Sequence, residues 1–318
     1  MRNRWAVGAL LATMSVSSAA RAWNDFGHMA VAAVAFKKLK PKAKTRAAQL
    51  LKLNPRYANW IVGARKSDEP RIAFMRAATW ADAIKSDRAY KDDGSPGAGQ
   101  GPGYLDLLRH PTWHYVNRPF SRDGTPLVDG AVPNVASQIT ALRTELCAAA
   151  TSDEQKSYDL AWLLHLVGDV HQPLHCVARF DRATASGDRG GNLVKIAGNA
   201  QPPVCDDPRY CPFGPPEDLH AFYDAIVGAG YYTGEVETAA NALPAAKSEK
   251  AAISDVDAWV QEGFELAQTA VYVSPINAGA GPFTIDAAYQ SAALKLGRER
   301  MSLAGARLAA LVNECLGK

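Results

Sequence analysis

The sequence predicts an all-α fold: a single multi-helix domain with long irregular loops and at most a small β-hairpin. Three observations predict it. Apolar residues recur at helical spacing in six stretches, few segments alternate as strands, and the intervals between helical stretches are rich in Gly, Pro and Asp.

Taken in order, the chain starts with a basic pair (Arg2, Arg4), an apolar run from Trp5 to about Val16, and Ala20-Arg21-Ala22 ahead of Trp23. That pattern reads as a secretory signal over residues 1–22, cut before Trp23. The run is shorter than the roughly 18 apolar residues a bilayer span needs, so no stable membrane insertion is expected. Removing Arg2, Arg4 and Arg21, which no acidic residue accompanies, takes the formal charge of +3 to zero. A polyanionic partner would therefore have to be attracted by local charge and not by a basic surface.

Helical patterns follow near residues 26–40, 42–53, 131–150, 154–170, 235–270 and 285–316. Between them lie 86–103, 117–130 and 179–217, loops long enough to carry function. The segment GGNLVKIAGN suggests a hairpin in the 186–200 region. No internal repeat or linker divides residues 23–318, which read as one domain.

Cys147, Cys176, Cys205, Cys211 and Cys315 are odd in number, so at least one is free or pairs outside the chain. Cys205 with Cys211 is the preferred disulfide. Cys147 with Cys315 is the weaker reading, because both sit in helical patterns that would bury them as small apolar groups. Cys176 reads as a buried inert thiol. There is no C-x-x-C and no N-x-S/T sequon.

The chemistry is concentrated in the histidines. Three of the seven fall in AWLLHLVGDVHQPLH, as His165, His171 and His175, with Asp169 among them; His220 and Asp224 follow in DLHAFYD. A His and an Asp four residues apart on a helix point the same way, so two such pairs read as ligand sets facing one cleft. Trp23, His28, Asp82 and His114 supply further donors. Imidazole and carboxylate without thiolate favour zinc at open, catalytic positions. By periodicity Trp23 is an aromatic anchor for the first helix. Its place at the cleavage point gives it a second role, since a free α-amine, with an ordinary pKa of about 7.7–8.0, can chelate a metal together with its own carbonyl. His171 and His110 read as structural.

The order and spacing of W-N-D-F-G-H (23–28), A-T-W-A-D (78–82), W-H-Y-V-N (113–117), H-L-V-G-D-V-H-Q-P-L-H (165–175), D-R-G-G-N (188–192), D-L-H-A-F-Y-D (218–224) and G-A-R-L-A (305–309) resemble the S-one/P-one type of zinc-dependent single-strand nuclease, in the phospholipase C and nuclease superfamily. These pieces span nearly the whole of 23–318, and the string ending in HQPLH is the most specific. The resemblance implies the helical fold of that superfamily and three zinc ions. One would be held by Asp82, His114, His165 and Asp169; a neighbour by Trp23, His28 and a bridging Asp169; and the third by His175, His220 and Asp224. It implies an exported, secreted or periplasmic, monomeric endonuclease acting on single-stranded DNA and RNA and on 3′-nucleotides, with 5′-phosphate products and no protein partner. Asp82, Lys85 and Asp169 would serve catalysis. Tyr115 is the candidate base-stacking platform or a plain core tyrosine. Asn192 contacts a base or only shapes a turn.

Two positions depart from the family. Lys85 stands where arginine is common, a point charge in place of a fork. Asn117 stands where some members have an aspartate that meets the base edge, which leaves base preference open. Two other readings compete with this one. A zinc phospholipase C spaces the first histidine further from the tryptophan and typically ends the last pair with glutamate, whereas here the gap is five residues and the last ligand is Asp224. A purely structural zinc protein would close its sites with four protein ligands, often cysteine.

Overall fold

The computed structural model describes residues 23–95, 103–197 and 216–318. The signal reading of 1–22 and the Cys205–Cys211 pairing lie outside them. Twelve α-helices are formed among the described residues: α1 (Asp25–Lys38), α2 (Pro41–Leu51), α3 (Tyr57–Trp60), α4 (Glu69–Ala77), α5 (Trp80–Ser86), α6 (Val135–Cys147), α7 (Asp153–Asp169), α8 (Leu219–Asp224), α9 (Thr233–Asn241), α10 (Ser248–Ala251), α11 (Val256–Leu266) and α12 (Ala287–Leu316). None is long and apolar enough to cross a membrane.

Helix α7 is the axis of the molecule. Ser152 caps its first turn by accepting the Gln155 N–H, and every residue from Ser157 to Asp169 is buried. A helix covered on every side runs through a protein's interior, and α7 is enclosed by α1, α2, α4, α5, α6 and α12. Helix α1 is similarly covered from Phe26 to Ala35. It meets α12 where a methyl on Gly305 would lie 2.6 Å from the Val34 side chain. The glycine of G-A-R-L-A thus permits close helix approach, and its arginine, Arg307, binds Glu262 of α11 through two nitrogens.

The helical stretch expected over 235–270 is three helices. Pro244 cannot donate to a helical ladder and blocks its continuation, and Asp255 starts α11 afresh by accepting the Asp257 N–H. Helices α4, α5 and α8 are too short to show periodicity in the sequence.

The hairpin expected in 186–200 is not formed among residues 186–197. Lys195 pairs instead with Asp218, and Ile196 with Phe283. The only sheet among the described residues is a parallel pair, β1 (Pro119–Ser121) and β2 (Ala178–Phe180), joined through α6 and α7 as parallel strands require. The disulfide joins Cys147 at the end of α6 to Cys315 at the end of α12, so the pairing read as the weaker one is formed. Both ends are helical as expected, but they meet side by side. Cys176 is free and buried, and burial pushes its thiol up to about 12.

Candidate metal centre

Six elements deliver the histidines and aspartates. The first turn of α1 brings His28, α5 brings Asp82, the last turn of α7 brings His165 and Asp169, and α8 brings His220 and Asp224. His114 and His175 ride on two 3-10 turns, Pro111–His114 and Pro173–Cys176, each opened by a proline whose fixed φ suits a first helical position. The two turns are laced together. His175 donates through Nδ1 to the His114 carbonyl at 2.7 Å, and Val116 N–H donates to the His175 carbonyl at 2.8 Å. The parallel register of β1 and β2 continues this lacing and so fixes one ligand-bearing turn against the other.

Three groups of donors result: His28, His165 and Asp169; Asp82, His114 and His165; His175, His220 and Asp224. Within each group the donor atoms lie within 4.8 Å of one another, and all the side chains are buried. The two oxygens of Asp169 face different partners. Oδ1 lies 3.3 Å from His28 Nε2, while Oδ2 lies 3.0 Å from His114 Nδ1 and 3.3 Å from His165 Nε2. The rings of His28 and His165 stack at 3.8 Å.

The protons of three imidazoles are accounted for. His165, His175 and His220 each place Nδ1 2.7 Å from a main-chain carbonyl, those of Ala78, His114 and Gly190. A ring that donates from Nδ1 presents a bare lone pair at Nε2. Yet His175 Nε2 and His220 Nε2 lie 3.0 Å apart. Facing lone pairs repel, and a proton or a cation must lie between them. Burial holds His28, His114 and His175 well below the ordinary imidazole range, which argues against the proton. At His165 burial works in the same direction, but the carboxylates of Asp169 and Asp82 outweigh it and raise the pKa. A tetrahedral zinc with bonds of about 2.0–2.1 Å sets two nitrogens about 3.3 Å apart, close to the spacing seen. The C-terminus of α7 adds its own partial negative charge beside Asp169, and the Asp169 Oδ1 and both His28 nitrogens are buried with no hydrogen-bond partner. The donor set fits metal cations.

A family model for S1/P1 nuclease matches residues 23–317. The chain belongs to the S1/P1 nuclease family. No curated protein sequence matches it. As a nuclease of this family it is a phosphodiester hydrolase, and the groups just described are its candidate metal ligands.

Around the nuclease centre, Trp23 is fully buried and its indole donates to the Gly168 carbonyl at 3.1 Å. It is an anchor in the core, whatever its main chain does. Lys85 lies 2.7 Å from Asp82 Oδ1. Tyr115 and Asn117 follow His114 directly and are half-buried. The Asn192 side-chain amide donates to the Arg189 carbonyl at 2.7 Å, so it shapes the turn. His171 points away from the centre, donating to the Val167 carbonyl and accepting from Arg307. His110 is structural but not at the surface: Asp93 and Asp106 flank its two nitrogens and its ring stacks on Trp113 at 3.7 Å.

Reading the sequence missed Gly190 and Gln172. Gly190 has φ +61°, and a methyl on it would lie 2.3 Å from the Leu174 carbonyl oxygen. Its own carbonyl can therefore reach His220 only if the residue is glycine. The D-R-G-G-N string carried that signal in its paired glycines.

Proposed function

We propose that this nuclease is an exported, zinc-dependent endonuclease that cleaves single-stranded DNA and RNA to 5′-phosphate products and also removes phosphate from 3′-nucleotides. The observation that carries this reading is the convergence of three buried nitrogen and oxygen donor groups, with the bare Nε2 atoms of His175 and His220 3.0 Å apart. Asp82, His114, His165 and Asp169 would hold one zinc, Trp23 through its main chain with His28 and Asp169 a second, and His175, His220 and Asp224 a third. Zinc so held would supply water activated at neutral pH and a positive field for the phosphodiester.

The protein's own groups do the rest. Asp169 offers one oxygen to each side and so couples two groups. Lys85, held against Asp82, adds a cation for the non-bridging phosphate oxygens. Tyr115 offers a face for an unpaired base and Asn117 an amide with both donors and acceptors, which favours strands whose bases are already splayed. Residues 1–22 act as a signal whose removal leaves 23–318 as one monomeric domain beginning with the Trp23 amine; the family match starting at Trp23 supports this boundary.

The test pairs zinc per chain and N-terminal sequencing with assays on single-stranded DNA, RNA, duplex DNA, a 3′-nucleotide and a short-chain phosphatidylcholine. Three zinc ions, Trp23 as first residue, and faster cleavage of single strands than of duplex are expected. Turnover of the lipid with inert nucleic acid overturns the proposal.

A further inference from the structure

Gln172 sits between His171 and Pro173, belongs to none of the three donor groups, and is fully buried. Both ends of its amide are used. Oε1 accepts the Leu174 N–H at 2.6 Å and caps the 3-10 turn that carries His175. Nε2 donates to Asp224 Oδ1 at 2.9 Å. Its main chain is tied to the same centre, with its N–H on the Asp169 carbonyl at 2.9 Å and its carbonyl accepting the His175 N–H at 3.0 Å.

One neutral side chain thus touches the turn of one ligand and the carboxylate of another. Asp224 Oδ1 is occupied by the Gln172 N–H, while Oδ2 lies 3.6 Å from His220 Nε2 and faces the donor group. An amide suits this place because it donates to a carboxylate without adding charge beside it.

We propose that Gln172 is a positioning residue for the third metal: it restricts Asp224 to ligation through Oδ2 alone and sets the turn that presents His175. This rests on the reading that His175, His220 and Asp224 hold a metal ion. Outer hydrogen bonds to metal ligands commonly control affinity by about 10–100-fold, and here one amide makes such a bond to Asp224 and also caps the turn of His175.

Two variants separate the roles. Gln172→Leu removes both bonds. Gln172→Glu keeps an oxygen for the Leu174 N–H and, followed up a pH series to where the new carboxyl is ionised, has no hydrogen for Asp224. Zinc release would be followed by chelator titration, the visible spectrum of the cobalt(II)-loaded protein would report ligand geometry, and unfolding of the metal-free form would report the fold. In Gln172→Leu one zinc of three should leave at about 10–100-fold lower chelator while the other two keep native affinity. In Gln172→Glu the cobalt spectrum should change although the cap is retained. Native zinc affinity in Gln172→Leu overturns the proposal, as does a native cobalt spectrum in Gln172→Glu, which would leave capping as the only role. Should Gln172→Leu fail to fold, Gln172→Glu alone decides. Native protein that binds no metal through His220 overturns the parent reading and this one together.

Discussion

Adding one methyl group at Gly168 should remove one metal and leave the fold intact. Gly168 lies in the last turn of α7, directly before Asp169, and the His28 ring rests against it. A Cβ there would lie 2.9 Å from His28 Nδ1 and 3.2 Å from Cε1. Favourable contact requires about 3.5 Å, so the ring must retreat by roughly 0.5 Å. It has little room to do so, being buried and stacked on His165 at 3.8 Å. Metal–ligand distances tolerate only about 0.2 Å of error, so the displacement exceeds what a bond to His28 can absorb. Helix propensity acts the other way, since alanine is favoured over glycine by about 1 kcal/mol in a helix interior. Gly168→Ala should therefore leave the unfolding midpoint of the metal-free protein within a few degrees of native. It should weaken one of three zinc ions at least 10-fold in a chelator titration and reduce nuclease activity in step. Three ions held with native affinity would refute the argument, because the methyl cannot be housed without moving a proposed ligand.

Three other outcomes are expected. Asp169→Asn should weaken two zinc ions and cost more activity than His220→Ala, because Asp169 turns one oxygen toward His28 and the other toward His114 and His165; equal losses with all zinc retained would show that it bridges nothing. Burial pushes the Asp159 carboxyl from its ordinary 3.8 up to about 7. The folded state therefore holds a proton that the unfolded state releases, and stability falls as pH rises from about 3.8 to 7 and stays low above it. Asp159→Asn, which keeps an oxygen for the Gln155 amide, should be more stabilising at pH 8 than at pH 5 by roughly 2–3 kcal/mol in denaturant unfolding, and a gain independent of pH would remove the cause. Replacing Cys147 and Cys315 together by serine frees a loop of sequence separation 168, at a cost of up to about 5 kcal/mol; an unchanged unfolding midpoint would show that the bridge does not constrain the unfolded chain.

The long helices were legible because an apolar period sustained over many residues, as in α7 and α12, marks a helix by its length. So were His165 with Asp169 and His220 with Asp224, because i, i+4 His–Asp pairs on a helix share a face by geometry, while the grouping of His28, Asp82, His114 and His175 with them came from the family resemblance. Less legible were features that depend on where distant segments meet. Cys147 and Cys315 lie in separate helices and give no local sign that their ends adjoin. Lys195 and Ile196 pair with Asp218 and Phe283, not with each other's neighbours, so a local turn signal pointed to the wrong partner. Pro244 was visible, yet the apolar period on either side of it masked a break. Asn192 was open to either a turn or a base contact, and the hydrogen bond from its amide to the Arg189 carbonyl gives it the turn role without using its oxygen or its second hydrogen.

The acceptors that orient His165, His175 and His220 belong to peptide units of Ala78, His114 and Gly190. A carbonyl survives any side-chain replacement, so no single codon change can delete these props outright. Genetic fragility moves instead to places where the backbone must pass close or bend left-handed, chiefly Gly168 and Gly190. Harmful variants in this enzyme should therefore cluster at small residues that touch no substrate, where a scan guided by reactive groups alone would not search.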